Sequence, residues 1–170
     1  MKTKTITLYD YSELSPAAKE KALQQWNEYN DDPFMQSHMI NLLKEELEER
    51  GIQYDIDSID VRYSLSHCQG DGFMFEGHLT WNGYTVKIKH QGHYYHSYSK
   101  SVEMYKVHDG QEIEPTEEDA AAFEEVYQEI CTKMEQTGYN HIEYITSEES
   151  FIEACDANGY TFRENGIMEN

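Results

Sequence analysis

The sequence predicts an α+β fold, an antiparallel β-sheet with α-helices packed on one face, in a single domain. Three observations predict it. Residues 52–111 alternate apolar and polar side chains and are punctuated by the turn pairs Asn82-Gly83 and Asp109-Gly110. The segments on either side carry apolar residues at helical spacing. A length of 170 residues, with no linker rich in Pro, Gly or Ser and no internal repeat, suits one domain.

The elements can be justified in order. Ile6 and Leu8 alternate with Thr5 and Thr7, which reads as a strand over residues 3–9. Ser15 can cap a helix with Pro16 at its first position, and Ala18, Ala22, Trp26 and Tyr29 fall on one face. Asp31-Asp32-Pro33 restarts the chain for a second helix, with Met35, Met39, Leu42 and Leu43 inward and a stop at Gly51, so residues 1–51 read as a strand and a helical hairpin.

In the central segment, residues 52–111, Ile59, Val61, Tyr63 and Leu65 alternate with polar residues up to the turn Gln69-Gly70-Asp71-Gly72. Asn82-Gly83 suits a type I′ hairpin turn. Folding about it sets Trp81 opposite Tyr84, Leu79 opposite Val86, Gly77 opposite Ile88 and Phe75 opposite His90, with Glu76 beside Lys89 on the other face. A further strand over 101–107 precedes the Asp109-Gly110 turn.

The last segment, residues 112–170, begins with a helix capped by Thr116 and carrying Glu117, Glu118 and Asp119 in its first turn, where they complement the helix dipole. Its apolar stripe is Phe123, Val126, Tyr127, Ile130 and Met134, and Gly138 is expected to end it. A shorter helix over 147–157 closes at Asn158-Gly159, before a short strand at 160–162 and a turn at Asn165-Gly166.

Charge is the main functional clue. Lys and Arg number 13 against 33 Asp and Glu, a formal net charge of −20. The excess is uneven: residues 112–170 carry 16 acids and 2 bases, whereas 52–111 carry 7 and 5. Such a surface repels nucleic acid and anionic lipid and favours a partner with a basic surface. No apolar run reaches the ~18 residues that span a bilayer, and no hydrophobic signal segment follows Met1, so the chain is expected in the cytoplasm. Cys68, Cys131 and Cys155 form no CxxC pair and read as reduced thiols.

Two constellations stand out. On the first long helix of the last segment, Glu117, Glu118, Glu124, Glu125, Glu129 and Glu135, with Glu114 before it, lie opposite the apolar stripe and have only Lys133 as a neighbouring base. A helix shaped only for solubility interleaves both signs, so this face reads as an anionic contact surface, extended by Glu148 and Glu149. Seven acids along roughly 33 Å give one per ~5 Å, against one per ~1.7 Å for duplex DNA, so imitation of DNA needs the further acids.

The second constellation is the His- and Tyr-rich centre: His67, Asp71, His90, His93, Tyr94, Tyr95 and His96. It suggests a small-ligand or nucleotide site, metal-assisted in one version. Spacing argues against a metal, because His93 and His96 differ by an odd number and point to opposite faces of a strand. The Gly70/Gly72 turn matches neither a P-loop nor a dinucleotide fingerprint. No cofactor and no catalytic residue is expected, and the chain reads as a non-enzyme.

Three stretches, LYDYSELSPAAKEKALQQW at 8–26, YSLSHCQGDGFMFEG at 63–77 and ITSEESFIEACDANGYTFRENG at 145–166, resemble small acidic proteins encoded by bacteriophages and prophages. The resemblance carries no catalytic residues. It implies an accessory factor of anti-defence type, such as an inhibitor of CRISPR or restriction systems, acting on a host protein in the bacterial cytoplasm.

Overall fold

A computed structural model describes residues 5–29 and 32–169. The fold is α+β, and its contacts gather into two compact units. One comprises Pro33–Tyr139, and the other the chain up to Asp32 together with the chain from Asn140 onward.

In the Pro33–Tyr139 unit, helix α2 (Met35–Glu49) precedes the sheet strands β1 (Gln53–Tyr54), β2 (Asp60–Ser64), β3 (Gly72–Trp81), β4 (Tyr84–His90), β5 (Lys100–His108) and β6 (Gln111–Ile113). All pair antiparallel in the order β1-β3-β4-β5-β6, with β2 also on β3. Helix α3 (Glu117–Ile145) belongs to this unit as far as Tyr139. Met39, Leu43 and Leu47 from α2, Phe73, Phe75, Leu79, Val86 and Ile88 from the sheet, and Phe123, Tyr127, Ile130 and Met134 from α3 are buried. Burying each such side chain contributes roughly 1.5–3 kcal/mol.

The Asn82-Gly83 hairpin has the expected register, with Trp81↔Tyr84, Leu79↔Val86 and Gly77↔Ile88. Both turn residues have positive φ, +47° and +77°, as a type I′ turn requires. The ladder then stops. Phe75 pairs with Val61 on β2 and not with His90, and Glu76 bonds Arg62 and not Lys89. Competition explains the correction: the Glu76 carboxylate accepts the His90 amide at 2.9 Å, and the Tyr127 hydroxyl bridges the backbone of Phe75.

Gly138 does not end α3. It is buried within the helix, and a Cβ there would lie 2.4 Å from Leu65 Cδ1, so it marks a close approach of helix to sheet. The helix stops seven residues later, at Ile145.

In the other unit, a 3-10 turn (Tyr11–Glu13) leads to α1 (Pro16–Tyr29), whose Ala18 amide bonds the Ser15 hydroxyl as a cap. Beyond the end of α3, Ser147 caps α4 (Glu148–Asn158), Gly159 closes it at φ +66°, and β7 (Thr161–Phe162) pairs with β8 (Met168–Glu169). Ala18, Ala22, Tyr11, Leu14, Phe151, Cys155 and Phe162 form its core, with Trp26 stacked on Phe151 at 5.3 Å. Tyr29 is 84% exposed, since the inward face of α1 ends one turn earlier.

Residues 5–8 are irregular, and Tyr9 makes a single bridge to Phe162 in place of the expected strand; Thr3, Lys4 and Asp31 lie outside the described residues. Of the two helices expected to form a hairpin, α1 lies in one unit and α2 in the other. No helix among the described residues is long and apolar enough to cross a membrane.

Candidate interaction surface

Helix α3 is fixed to the sheet from its first turn. Thr116 Oγ1 accepts the Asp119 amide at 3.0 Å, and the Asp119 carboxylate accepts the Tyr84 hydroxyl at 2.6 Å. The Tyr84 hydroxyl, and the Thr116 hydroxyl that also donates to this carboxylate, hold the Asp119 carboxyl below its ordinary value. With Phe123, Tyr127, Ile130 and Met134 turned to the sheet, the opposite side of the helix faces outward.

The acids on that side have two fates. Glu124 is bound by Lys100 at 2.8 Å and accepts the Gln128 amide, and Glu129 is bound by Arg50 at 2.8 Å. Lys133, the base expected to relieve the helix, is drawn to Glu46 and Glu49 on α2. Glu114, Glu117, Glu118 and Glu125 are exposed and make no ion pair among the described residues, and Glu135 is half-buried without one. Uncompensated acid thus concentrates at the start of α3.

The bases that neutralise the middle of the helix come from elsewhere in the unit. The Lys100 side chain, on β5, is only 5% exposed, lies 4.3 Å from the Tyr127 ring centre and donates to Ser97 O and Glu124. Arg50 follows α2 and joins Glu46 to Glu129. No motif in the sequence marks Glu46, yet it is a buried carboxylate held by Arg50 and Lys133. Burial acts to raise its pKa, and the two bases outweigh burial and lower it. Arg50, Lys133, Glu125 and Glu129 frame a shallow, open concavity of about 880 Å³ of mixed sign.

In the other unit, Glu148 and Glu149 occupy the first turn of α4. Glu148 accepts the Tyr11 hydroxyl at 2.9 Å, and Glu149 is exposed.

The His- and Tyr-rich centre is brought together, but as packing between two loops. Asp71 accepts hydrogen bonds from the Ser66 and Cys68 amides and the Ser64, Ser66 and Tyr139 hydroxyls, at 2.6–3.2 Å. Removal from water acts to raise its pKa, while Cys68, Ser64, Tyr139 and Ser66 outweigh that and hold it well below the usual carboxylate range. Its acceptor sites are occupied, so it organises the turn.

His67 stacks on Tyr139 at 4.4 Å. Tyr94 lies against Gly70, His96 against Gly72, and Tyr94 stacks on His96. His90 Nε2 lies 3.0 Å from Tyr94 O, and its ring packs near Tyr95. His93 is exposed. Among the described residues no three His, Cys, Asp or Glu side chains converge as a metal requires.

The three thiols are free; Cys68 is exposed, and burial raises Cys131 to about 12 and Cys155 to about 11. Comparison with protein-family models, with curated proteins and with solved structures finds no match, so the assignment of the surface rests on its chemistry.

Proposed function

We propose that the protein is a non-enzymatic binding factor that engages a basic groove on a host protein through the first half of α3. One observation carries the reading. Glu114, Glu117, Glu118 and Glu125 stay uncompensated, although Lys100 and Arg50 neutralise their neighbours Glu124 and Glu129. Like charges left unpaired on one helix cost stability, which a contact surface offsets when it meets a basic partner.

On α3, Glu117, Glu118 and Glu125 span about 12 Å, one per ~4 Å, less than half the charge density of duplex DNA. The partner is therefore read as a protein recognised by steric fit and charge together. The resemblance to phage accessory proteins supports a host defence factor that handles nucleic acid, met in the bacterial cytoplasm, as the first partner to try.

The test is the triple substitution Glu117→Gln, Glu118→Gln and Glu125→Gln, assayed against a partner captured from a bacterial lysate. Exposed charge pairs contribute about 0.2–1 kcal/mol each, so the loss of affinity is expected to total roughly 1–3 kcal/mol, with a shallower salt dependence and unimpaired melting. Equal affinity and equal salt slope in variant and parent refute the assignment.

A further inference from the structure

The far edge of the sheet carries a second, different surface. β5 pairs with β4 from Lys100 to Tyr105, but with β6 only from Lys106 to His108. Over residues 100–105, one side of β5 therefore has no neighbouring strand among the described residues. Strand parity tells which backbone groups are bare.

The two-residue turn Asp109-Gly110 makes His108 with Gln111, and then Lys106 with Ile113, the hydrogen-bonded pairs, so residues 106 and 108 aim their N–H and C=O at β6. With a period of two, Met104 and Val102 aim the same way, where no strand lies among the described residues. Among the described residues, no backbone hydrogen bond outside the regular elements takes these groups up.

The side chains of these two residues line a groove. Val102, 38% exposed, and Met104 form its floor, Ala120 and Phe123 of α3 its wall, and the Glu114-Pro115 connection closes one end, enclosing about 480 Å³. At the other end of the exposed edge stands the Lys100–Glu124 ion pair.

The charged lining residues are all acids: Glu103, Glu114 and Glu124. Lys87 holds Glu103 and Lys100 holds Glu124, which leaves Glu114, flanked in sequence by Glu112 and Glu117, without a base among the described residues.

We propose that this edge accepts an extended segment of a partner protein as an added β-strand. Alternate apolar side chains of the segment sit on Val102, Met104, Ala120 and Phe123, and Lys or Arg meets Glu114. Five or six residues of edge, about 17–20 Å, give a strand of ordinary length. A second copy of the chain is the poorer occupant, because pairing two edges brings together acidic surfaces from chains of net charge −20. The edge shares Glu114 with the surface proposed above, but not Glu117, Glu118 or Glu125.

The probe is the heptapeptide KVRVKVR, blocked at both ends, with two copies N-methylated at the Val amides or at the Lys and Arg amides. The parent peptide is expected to bind, one methylated copy to lose tenfold or more, and the other to bind as before, because only one set of amides faces the edge. In the full-length protein, the Val102 and Met104 amides are expected to exchange rapidly when free and to become protected with peptide. Ser101 and Glu103, bonded to β4, stay protected in both states.

Val102→Pro removes an outward N–H without touching the β4 ladder and is expected to weaken binding at least tenfold; Val102→Lys, which keeps the amide, serves should proline perturb the fold. Four results with the parent protein overturn the proposal. They are no binding at millimolar peptide, equal affinity of both methylated copies, unchanged exchange at Val102 and Met104, and an edge already closed by self-association in sedimentation. Binding lost in the Glu117/Glu118/Glu125→Gln variant and kept in Val102→Pro also overturns it, while leaving the α3 assignment standing.

Discussion

Tyr127→Phe removes a single oxygen and tests how the first half of β3 is completed. The Phe75 amide donates to Tyr127 Oη at 3.2 Å, and the same hydroxyl donates to Phe75 O at 3.0 Å. Both residues are wholly buried, and the β3–β4 ladder ends at Gly77, so no strand stands by to take over. Burial raises the phenol far above its ordinary pKa, which keeps it a neutral donor throughout the accessible range.

Without the hydroxyl, two buried backbone groups lose their partner at about 1–3 kcal/mol each, partly offset by about 1 kcal/mol because no phenol need be dehydrated. The ring contacts, 4.7 Å to Phe75 and 4.3 Å to Lys100, are retained, so packing changes little. The expected loss is about 2–4 kcal/mol. Urea denaturation should show it as a lower midpoint at unchanged slope, and for a chain of this size it lowers Tm by roughly 5–15 °C. Exchange of the Phe75 amide should accelerate. A loss below about 0.5 kcal/mol refutes the reasoning.

Two further outcomes are expected. Gly166 has φ +81°, and a Cβ there would lie 2.1 Å from Ala18 O, whereas Gly159 has φ +66° and open space. Gly166→Ala should therefore cost about 2–4 kcal/mol in thermal denaturation and Gly159→Ala only about 1, and equal losses would show that the turn does not press on α1. Asp71→Asn should destabilise the protein near pH 7. The folded carboxyl is held below its unfolded value near 4, so the stability it contributes is present above that pH and lost on acidification. The gap between parent and variant should narrow as pH falls below about 4, and a gap constant with pH would refute the role given to Asp71.

Where the fold was legible, the signals were local. Ser15 and Pro16 opened α1, Asn82-Gly83 set a register, Asp109-Gly110 a turn, and Ser147 with Asn158-Gly159 bounded α4, each through a cap or a positive φ confined to a few residues. The failures required knowledge of a neighbour. Gly138 reads as a helix stop in isolation, because glycine breaks helices; only the Leu65 side chain beside it shows that its smallness serves packing. Extending the hairpin to Phe75 and His90 was sound by parity, and it failed because Glu76 and Tyr127 supplied the hydrogen bonds first.

The candidate surface follows the same logic. Angular spacing on α3 separated an acidic side from an apolar one correctly, since both sides belong to one helix. It could not separate Glu118 and Glu125 from Glu124 and Glu129, because the deciding bases arrive from 24 residues upstream on β5 and 79 residues upstream after α2. Compensation reached over such distances is a property of the fold, and it sharpens the functional reading. The acids that tertiary structure neutralises help to hold α3 in place, while the exposed ones it leaves bare begin at Glu114, just before the helix, and run through its first turns to Glu125. Glu114, in the connection from β6 to α3, borders both the bare acids of α3 and the groove beside the open edge of β5, so the proposed basic segment would meet unpaired charge at one end of that edge.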